Sequence, residues 1–561
     1  MSNARRKWLI ALSIVLALIF LTGYIVVRTW LDPLIKEALV TGVAKSSNGL
    51  YSLQVKRLKI HLLAGSAELD GIQLSTDSLR WEALRPENSG KMPLQLGLQI
   101  KRIRIKNFSI IQYWRTGHLF LDKVNIMDPQ VKVSSIQDSI PVKNPDTDSL
   151  TTGLLDRLPQ LISPFAKSIH IKTATVTNGS LIYRHLLEQK LSYHQADSIG
   201  LALTGIRIIA NEPTEASRAL YADHISLQFR NYELYPSGDL YGYRIQSAKL
   251  NEEKDLVQLQ GISILPKVSD AEFMQKLTRR IPLLKIRMDE IKIHKFDLFR
   301  AFHKKAWSME TIVVETARIE VYQNKNLPPK LPKRMPHELF RAIRADLDID
   351  TILVRNSNIL YTLRDKNQEG QLEFEHLNGV LLNITNDPLQ MSDSNPAMIH
   401  VRSELMGAGL LDITLQIPLL SDDFRCDYSA HLGNIDMTYL NRMITDQNKF
   451  RVESGNSESI ILNVQVRNGL ARGKIEATYN NLKISVLEAE DGHKRKLISV
   501  VANILLRNNN GHGPMNRPFK VGTVYYRRQS ADGILRYLWR AAQTGLMETL
   551  VPKGMTVKMQ E

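Results

Sequence analysis

The segment at residues 51–62, YSLQVKRLKIHL, alternates between apolar and polar side chains. Its apolar positions include Leu53, Val55, Leu58 and Ile60, and the alternation slips once, between Val55 and Leu58. Successive side chains of a strand point to opposite faces of a sheet, so a period of two predicts a strand with one apolar and one polar face. We therefore expect a sheet to begin here.

The same alternation continues through much of the chain, at residues 100–108, 119–133 and 399–417. Short Gly, Asn and Asp clusters such as Asp70-Gly71 interrupt it, which is typical of meandering antiparallel strands. Near the end, strict alternation over residues 460–466 is followed by Asn468-Gly469 and a second apolar run, which predicts a hairpin.

Part of the sequence is repeated at a constant offset. Ile169, Ile171 and the segment from Val176 to Tyr183 match Leu347, Ile349 and the segment from Val354 to Tyr361. A helix-like segment precedes each copy, at residues 154–165 and 337–344. A third such segment, residues 269–280, leads into the alternating residues 286–296. The repeating unit is therefore predicted to be a helix followed by strands.

Two amphipathic helices are predicted near the ends of the β region. Residues 32–47 place Leu34, Ile35, Ala38, Leu39 and Val43 at helical spacing, and we expect this helix to lie beside a membrane or to cover the end of the sheet. Residues 534–550 form the second helix, with an apolar stripe flanked by arginines. This helix either caps the last strand or docks on a membrane or partner protein. A further amphipathic stretch covers residues 497–505. The stripe of the second helix comprises Ile534, Leu535, Leu538, Trp539, Ala542, Leu546 and Leu550.

The first thirty residues predict a membrane anchor. Residues 8–27 carry no charge and would span about 30 Å as a helix, which matches the bilayer core. Arg5, Arg6 and Lys7 precede the run, which places the N-terminus in the cytoplasm and the rest outside. A cleaved signal peptide is the alternative, but the run is too long and lacks a small-residue cleavage site. The predicted anchor residues are Trp8, Leu9, Ile10, Leu12, Ile14, Val15, Leu16, Leu18, Ile19, Phe20, Leu21, Ile25, Val26 and Val27.

Composition limits the function classes. The 561 residues carry a net charge of +16, which indicates either a soluble self-repelling surface or attraction to anionic phospholipid headgroups. Nucleic acid is the usual partner of so basic a chain, but the predicted export argues against it. The single cysteine, Cys426, rules out an intramolecular disulfide and a cysteine-based zinc site.

The chain carries no recognisable catalytic motif. His337-Glu338 begins a zinc-protease signature, but Arg341 stands where the second histidine is needed. The Gly469–Ile475 segment departs from a phosphate loop in glycine spacing and in its last residue, and the Gly407–Asp412 segment lacks the third glycine of a dinucleotide turn. We predict a non-enzymatic protein with no cofactor.

The most plausible metal ligands in the sequence are Asp346, Asp348 and Asp350, which could bind a hard cation. Leu347 and Ile349 alternate with them, so the aspartates more simply form the solvent face of a strand. We predict no metal site.

Several motifs together resemble the AsmA-like family. They are the basic N-terminus with one anchor, residues 51–62 followed by Gly65, Leu69, Gly71 and Leu74, and a C-terminal hairpin. The hairpin residues are Ser454, Gly455, Asn468, Gly469, Ala471, Gly473, Tyr479, Leu482 and Lys483. The resemblance extends over the whole chain, and the helix-opened middle departs from better-known members.

The resemblance implies a mainly β fold with short helices, in which a transmembrane helix precedes a long, curled, repetitive antiparallel β-sheet that forms a groove, as in TamB-like and bridge-like lipid-transfer proteins. An apolar sheet face must be buried, and lipid acyl chains can bury it. We expect Leu462, Val464 and Val466 to face lipid.

The expected organisation has eight segments. They are a cytoplasmic tip and anchor (1–29), a juxtamembrane helix (30–49), an N-terminal AsmA-like β segment (50–135), a linker (136–153), helix-opened β repeats (154–325), a Pro-rich linker (326–336), a C-terminal AsmA-like β segment (337–490), and amphipathic helices with a final strand (491–561).

The leading functional hypothesis is a single-pass protein of the bacterial inner membrane, with its bulk in the periplasm, that binds or conducts phospholipid for outer-membrane homeostasis. Its expected partners are membrane phospholipid, the inner membrane and, as candidates, outer-membrane or envelope proteins. The alternative is an envelope or outer-membrane-protein assembly factor that binds proteins. An enzyme is the third possibility.

Overall fold

In a computed structural model the chain is mainly β, and the part that the structure describes has twenty strands, most of them paired antiparallel, and a few short helices. The structure describes residues 32–61, 64–84, 94–137, 159, 162–163, 166–187, 190–212, 219–238, 240–304, 306–329, 332–365, 368–443, 450–486, 507–511 and 518–550. The predicted anchor at 8–27, most of the predicted helix at 154–165, most of the linker at 136–153 and the amphipathic stretch at 497–505 lie outside these residues.

The chain divides into two compact units, residues 1–254 and 255–561. In unit 1 each strand pairs with the next, antiparallel throughout except for the parallel pair β4–β5. Its strands are β1 (Tyr51–His61), β2 (Ser66–Thr76), β3 (Gln95–Phe108), β4 (His118–Gln137), β5 (Ser168–Leu187), β6 (Lys190–Ile209), β7 (His224–Tyr235) and β8 (Tyr241–Asn251).

Unit 2 follows the same rule, with β11–β12 as its parallel pair and with β16 and β17 both pairing with β18. Its strands are β9 (Leu256–Pro266), β10 (Leu283–His294), β11 (Ala306–Asn324), β12 (Asp346–Asp365), β13 (Gln368–Thr385), β14 (Ala397–Leu405), β15 (Gly409–Ile417), β16 (Cys426–Leu432), β17 (Ile435–Asp436), β18 (Phe450–Arg467), β19 (Leu470–Val486) and β20 (Val521–Arg527).

Within the described ranges, seven α-helices connect or cover the strands. They are α1 (Asp32–Ser46), α2 (Ser78–Ala83), α3 (Ile110–Thr116), α4 (Asp270–Lys276), α5 (Leu298–Lys304), α6 (Pro336–Arg341) and α7 (Ile534–Leu550). The predicted helices at 32–47, 269–280, 337–344 and 534–550 are confirmed, with shorter ends in α4 and α6. Across the residues described above, no helix is both long and apolar enough to cross a bilayer.

The sequence repeat corresponds to a structural repeat. The matching segments lie in β5 and β12, each 20 residues long, and each strand pairs parallel with the strand before it and antiparallel with the strand after it. Asn178 and Asn356 occupy equivalent places and have φ angles of 54° and 43°. The third predicted copy differs, because β10 pairs antiparallel with β9.

Those two asparagines belong to a row of residues with positive φ, that is, with left-handed backbone conformation. The row crosses neighbouring strands, and we call it the seam. In unit 1 the register places Gly71 opposite Lys101 and Lys101 opposite Asp128, and Asn178 donates from Nδ2 to Asp128 Oδ1 over 2.7 Å. At the seam two consecutive side chains point to the polar face, so the apolar positions are spaced by three residues. The slip between Val55 and Leu58 is therefore a feature of the whole unit. The left-handed seam residues are Gly71, Asp128, Asn178, Ser198 and Asn231 in unit 1, and Gly261, Thr316, Asn356 and His376 in unit 2.

Candidate functional site: the apolar face of the sheet

An unbroken row of aliphatic side chains crosses the eight strands that the structure describes in unit 1. Strand register alone places these residues side by side, because each is the direct partner of the next. A second row beside it runs from Ile60 to Ile225 over seven strands. The first row, which we call the aliphatic row, comprises Leu58, Leu69, Ile103, Ile126, Val176, Leu201, Leu227 and Leu250.

Most of the aliphatic row is only half-buried. Leu58 is 8% exposed, whereas the other seven side chains are of intermediate exposure. Over the part of unit 1 that the structure describes, the helical contacts are mainly of α1 with β1 and of α3 with β4, at the first strand and at one strand end. A contiguous apolar surface of this kind is typical of a site that binds an apolar partner.

The opposite face of the same strands is polar and internally paired. Arg102 Nε donates to Asp70 Oδ1 over 2.5 Å, and Arg104 Nε donates to Glu68 Oε1 over 2.9 Å. The hydrogen bond from Arg102 lowers the pKa of Asp70. This face carries the charges that the sequence places between the apolar residues, and it suits contact with water.

Leu462, Val464 and Val466, the predicted lipid-facing residues, lie in a different environment. They are 6%, 3% and 0% exposed and belong to the main packed cluster of unit 2, whereas Asn463 and Gln465 point to the exposed face. The alternation is as expected, but the chain itself covers the apolar side at this place. Lipid contact with these residues stays a prediction, and it requires the cover to move.

The cover is helix α7. Tyr537 and Ala541 are fully buried in the same cluster as Val464 and Val466, and Tyr428 Oη donates to the carbonyl of Leu538 over 3.3 Å. The helix backbone approaches β20 so closely that a Cβ on Gly522 would lie 2.0 Å from the carbonyl oxygen of Gly545. Only glycine fits there, so α7 packs on the sheet as a cap, the first of the two roles expected for it.

The buried line of α7 differs from the predicted stripe by about one residue position. Tyr537, Ala541, Gly545 and Thr549 face the sheet, and Leu538 and Leu546 pack beside them. Leu535 and Trp539, which the stripe included, are 77% and 51% exposed. Small residues face the sheet because the helix lies close to it, and the larger apolar residues lie to the side.

The residues of the incomplete zinc-protease and phosphate-loop motifs have packing roles in the structure. His337 is buried and stacks on Phe424 with ring centroids 5.9 Å apart, while Glu338 Oε2 accepts a hydrogen bond from Met335 N at the start of α6. Burial lowers the pKa of His337. Gly469 forms the predicted two-residue turn with Asn468, since both have positive φ angles. These residues are placed by helix and hairpin packing.

The described residues do not bring Asp346, Asp348 and Asp350 within a common ligand distance, and they alternate along β12 as their spacing predicted. Ligand atoms of Glu375, His376 and Glu404 do lie within 4.8 Å of one another, on the surface. Sequence reasoning missed this group because strand pairing between β13 and β14, which no local spacing reveals, brings Glu404 beside Glu375.

No protein-family model matches this chain, and no curated protein is similar enough in sequence to match it. The candidate site therefore rests on the geometry of the sheet.

Proposed function

We propose that this protein is an inner-membrane-anchored periplasmic protein of the AsmA-like kind, which binds or conducts phospholipid between membranes for outer-membrane homeostasis. The observation that carries the proposal is the aliphatic row, which crosses eight strands of unit 1 and is half-buried on seven of them. In this proposal residues 8–27 anchor the chain in the inner membrane and Trp30 onward lies in the periplasm.

Lipid acyl chains are the partner that fits such a row. Each CH₂ group that leaves water for an apolar surface gains about 0.8 kcal/mol, so a chain of many such groups binds well without a specific polar pocket. The polar face with its Arg–carboxylate pairs remains in water. A row that continues from strand to strand also offers successive positions of similar energy, which suits movement of lipid along it.

The test is the lipid content of the full chain purified from membranes in mild detergent. We expect mass spectrometry to find co-purified phospholipid, and we expect substitution of Ile103, Val176 and Leu201 by Asp to remove most of it. The matched controls are the same substitutions by Asp on the polar face, at positions that are exposed or half-exposed. These positions are Thr175, Gln228 and Gln99. Loss of lipid equal in both sets, or a wild-type chain without lipid, would contradict the proposal. Co-purified envelope proteins in place of lipid would favour the assembly-factor alternative.

The anchor is tested separately. A reporter active only in the cytoplasm, fused after residue 561, should be inactive, and the same reporter fused before residue 8 should be active. Activity at the C-terminus would overturn the proposed topology.

A further inference from the structure

The apolar face of unit 1 changes character at the seam. On the side that holds the aliphatic row, the inward positions of β5, β6 and β7 are apolar, as at Val176, Leu201 and Leu227. On the other side the same face carries Tyr183 on β5, His194 on β6 and Tyr232 on β7. Polar atoms therefore collect along one margin of an apolar surface.

These three side chains form one connected group. The rings of Tyr183 and His194 meet edge to face with centroids 5.4 Å apart, and His194 Nδ1 lies 3.1 Å from Tyr232 Oη. Buried Ser135 hydrogen-bonds Tyr183 from the neighbouring strand. All three rings are half-buried, so they are held in place and still reach the surface.

The group is uncharged at neutral pH. Burial lowers the pKa of His194 and raises the pKa values of Tyr183 and Tyr232, so the imidazole and both phenols stay neutral. Neutral O–H and N–H donors suit neutral acceptors such as carbonyl oxygens, whereas binding of a phosphate anion usually involves cationic side chains.

The distances fit an amphipathic ligand. Along β6, the apolar face runs from Ala196 to Leu203, about 23 Å at about 3.3 Å per residue. An acyl chain that fills one leaflet spans about 15 Å, half of the bilayer core, so it can lie on this stretch while its polar end reaches His194.

We propose that Tyr183, His194 and Tyr232 form a subsite that hydrogen-bonds the ester carbonyl groups of a diacyl lipid whose chains lie across the seam on the aliphatic row. The subsite deepens the proposed lipid binding and rests on it. It fixes which end of the lipid lies at which margin of the face.

The test compares two lipids with the same headgroup and chain lengths, diacyl phosphatidylethanolamine and its dialkyl ether analogue, which lacks the carbonyls. Their affinities are measured by competition against a fluorescent lipid on the delipidated full chain. We expect the wild type to prefer the diacyl lipid about thirtyfold, the value of two ordinary hydrogen bonds. The double variant Y183F/Y232F should lose this preference by weaker diacyl binding, with ether binding unchanged.

The matched control is Y193F/Y235F, which removes two hydroxyls from a tyrosine pair on the opposite face, with ring centroids 6.1 Å apart. It should keep the wild-type preference. If the melting temperature shows that Y183F/Y232F is misfolded, the single variant Y232F is tested in its place. It should lose a smaller part of the preference for the diacyl lipid. A wild type that binds both lipids equally, or a Y183F/Y232F chain that keeps the preference, would overturn the subsite alone. A wild type that binds neither lipid would overturn the proposed function as well.

Discussion

The apolar face of the sheet is covered to different extents in two regions of this chain. In unit 1 the aliphatic row from Leu58 to Leu250 is half-buried on seven of its eight strands. In the C-terminal part of unit 2, helix α7 covers the apolar side of β18–β20, and Val464 and Val466 are 3% and 0% exposed. The strand pattern is the same in both regions. The periodicity of the sequence therefore indicates that one face of the sheet is apolar, but it does not indicate what covers that face.

The largest expected effect tests the covered face. Tyr537→Ala removes a fully buried ring from the α7 contact and should lower the free energy of unfolding by about 3–5 kcal/mol. Leu201→Ala on the half-buried row should cost only about 1 kcal/mol. Chemical denaturation of both variants measures the difference. Equal losses would mean that the row of unit 1 is as tightly packed as the core beneath α7.

Equivalent substitutions at the seam should change the stability of the fold equally in the two units. Asn178→Ala and Asn356→Ala each place an alanine in a left-handed conformation, which costs about 1–2 kcal/mol. Replacement by glycine at either position should cost much less, since glycine adopts positive φ freely. Thermal unfolding of the four variants tests the equivalence of the repeats. Alanine variants as stable as the wild type would show that the seam does not hold these φ angles in solution.

Thr316 is the exception within the seam, because a β-branched residue rarely adopts a φ of 54°. Asn and Asp tolerate this conformation best after glycine, and Asp128 occupies the equivalent place in unit 1. Thr316→Asn should therefore stabilise the chain by about 1 kcal/mol. A raised melting temperature is the expected result, and a lowered one would indicate that the threonine side chain makes a contact worth more than the strain.

The smallest expected change in stability comes from a substitution on the polar face. The folded state lowers the pKa of Asp70 through Arg102, so this pair stabilises the fold above the unfolded pKa of about 3.9 and the contribution is lost as pH falls through the folded value. Asp70→Asn should cost about 0.5 kcal/mol at pH 7 and less at pH 2. Stability curves measured at both pH values check the sign.

Much of the fold could be predicted because strand alternation, the Asn468-Gly469 turn and the repeat offset are local signals. The seam was visible only as a slip at one place, although three-residue spacing recurs at Ile100 and Ile103 and could have revealed it. The cover over Leu462, Val464 and Val466 was not predictable, since it depends on α7 contacts from about seventy residues away in sequence. The group of Tyr183, His194 and Tyr232 arises from pairing of three strands and has no sequence spacing of its own.

The central claim is that the half-buried aliphatic row of unit 1 contacts lipid. A photo-crosslinking amino acid placed in turn at Val176, Leu201 and Leu227 in the full chain within cells, with mass spectrometry of the adducts, tests it most directly. We expect phospholipid adducts at these three positions and none at Thr175, Ala202 and Gln228 on the opposite face. Equal capture on both faces, or no lipid captured at the row, would contradict it.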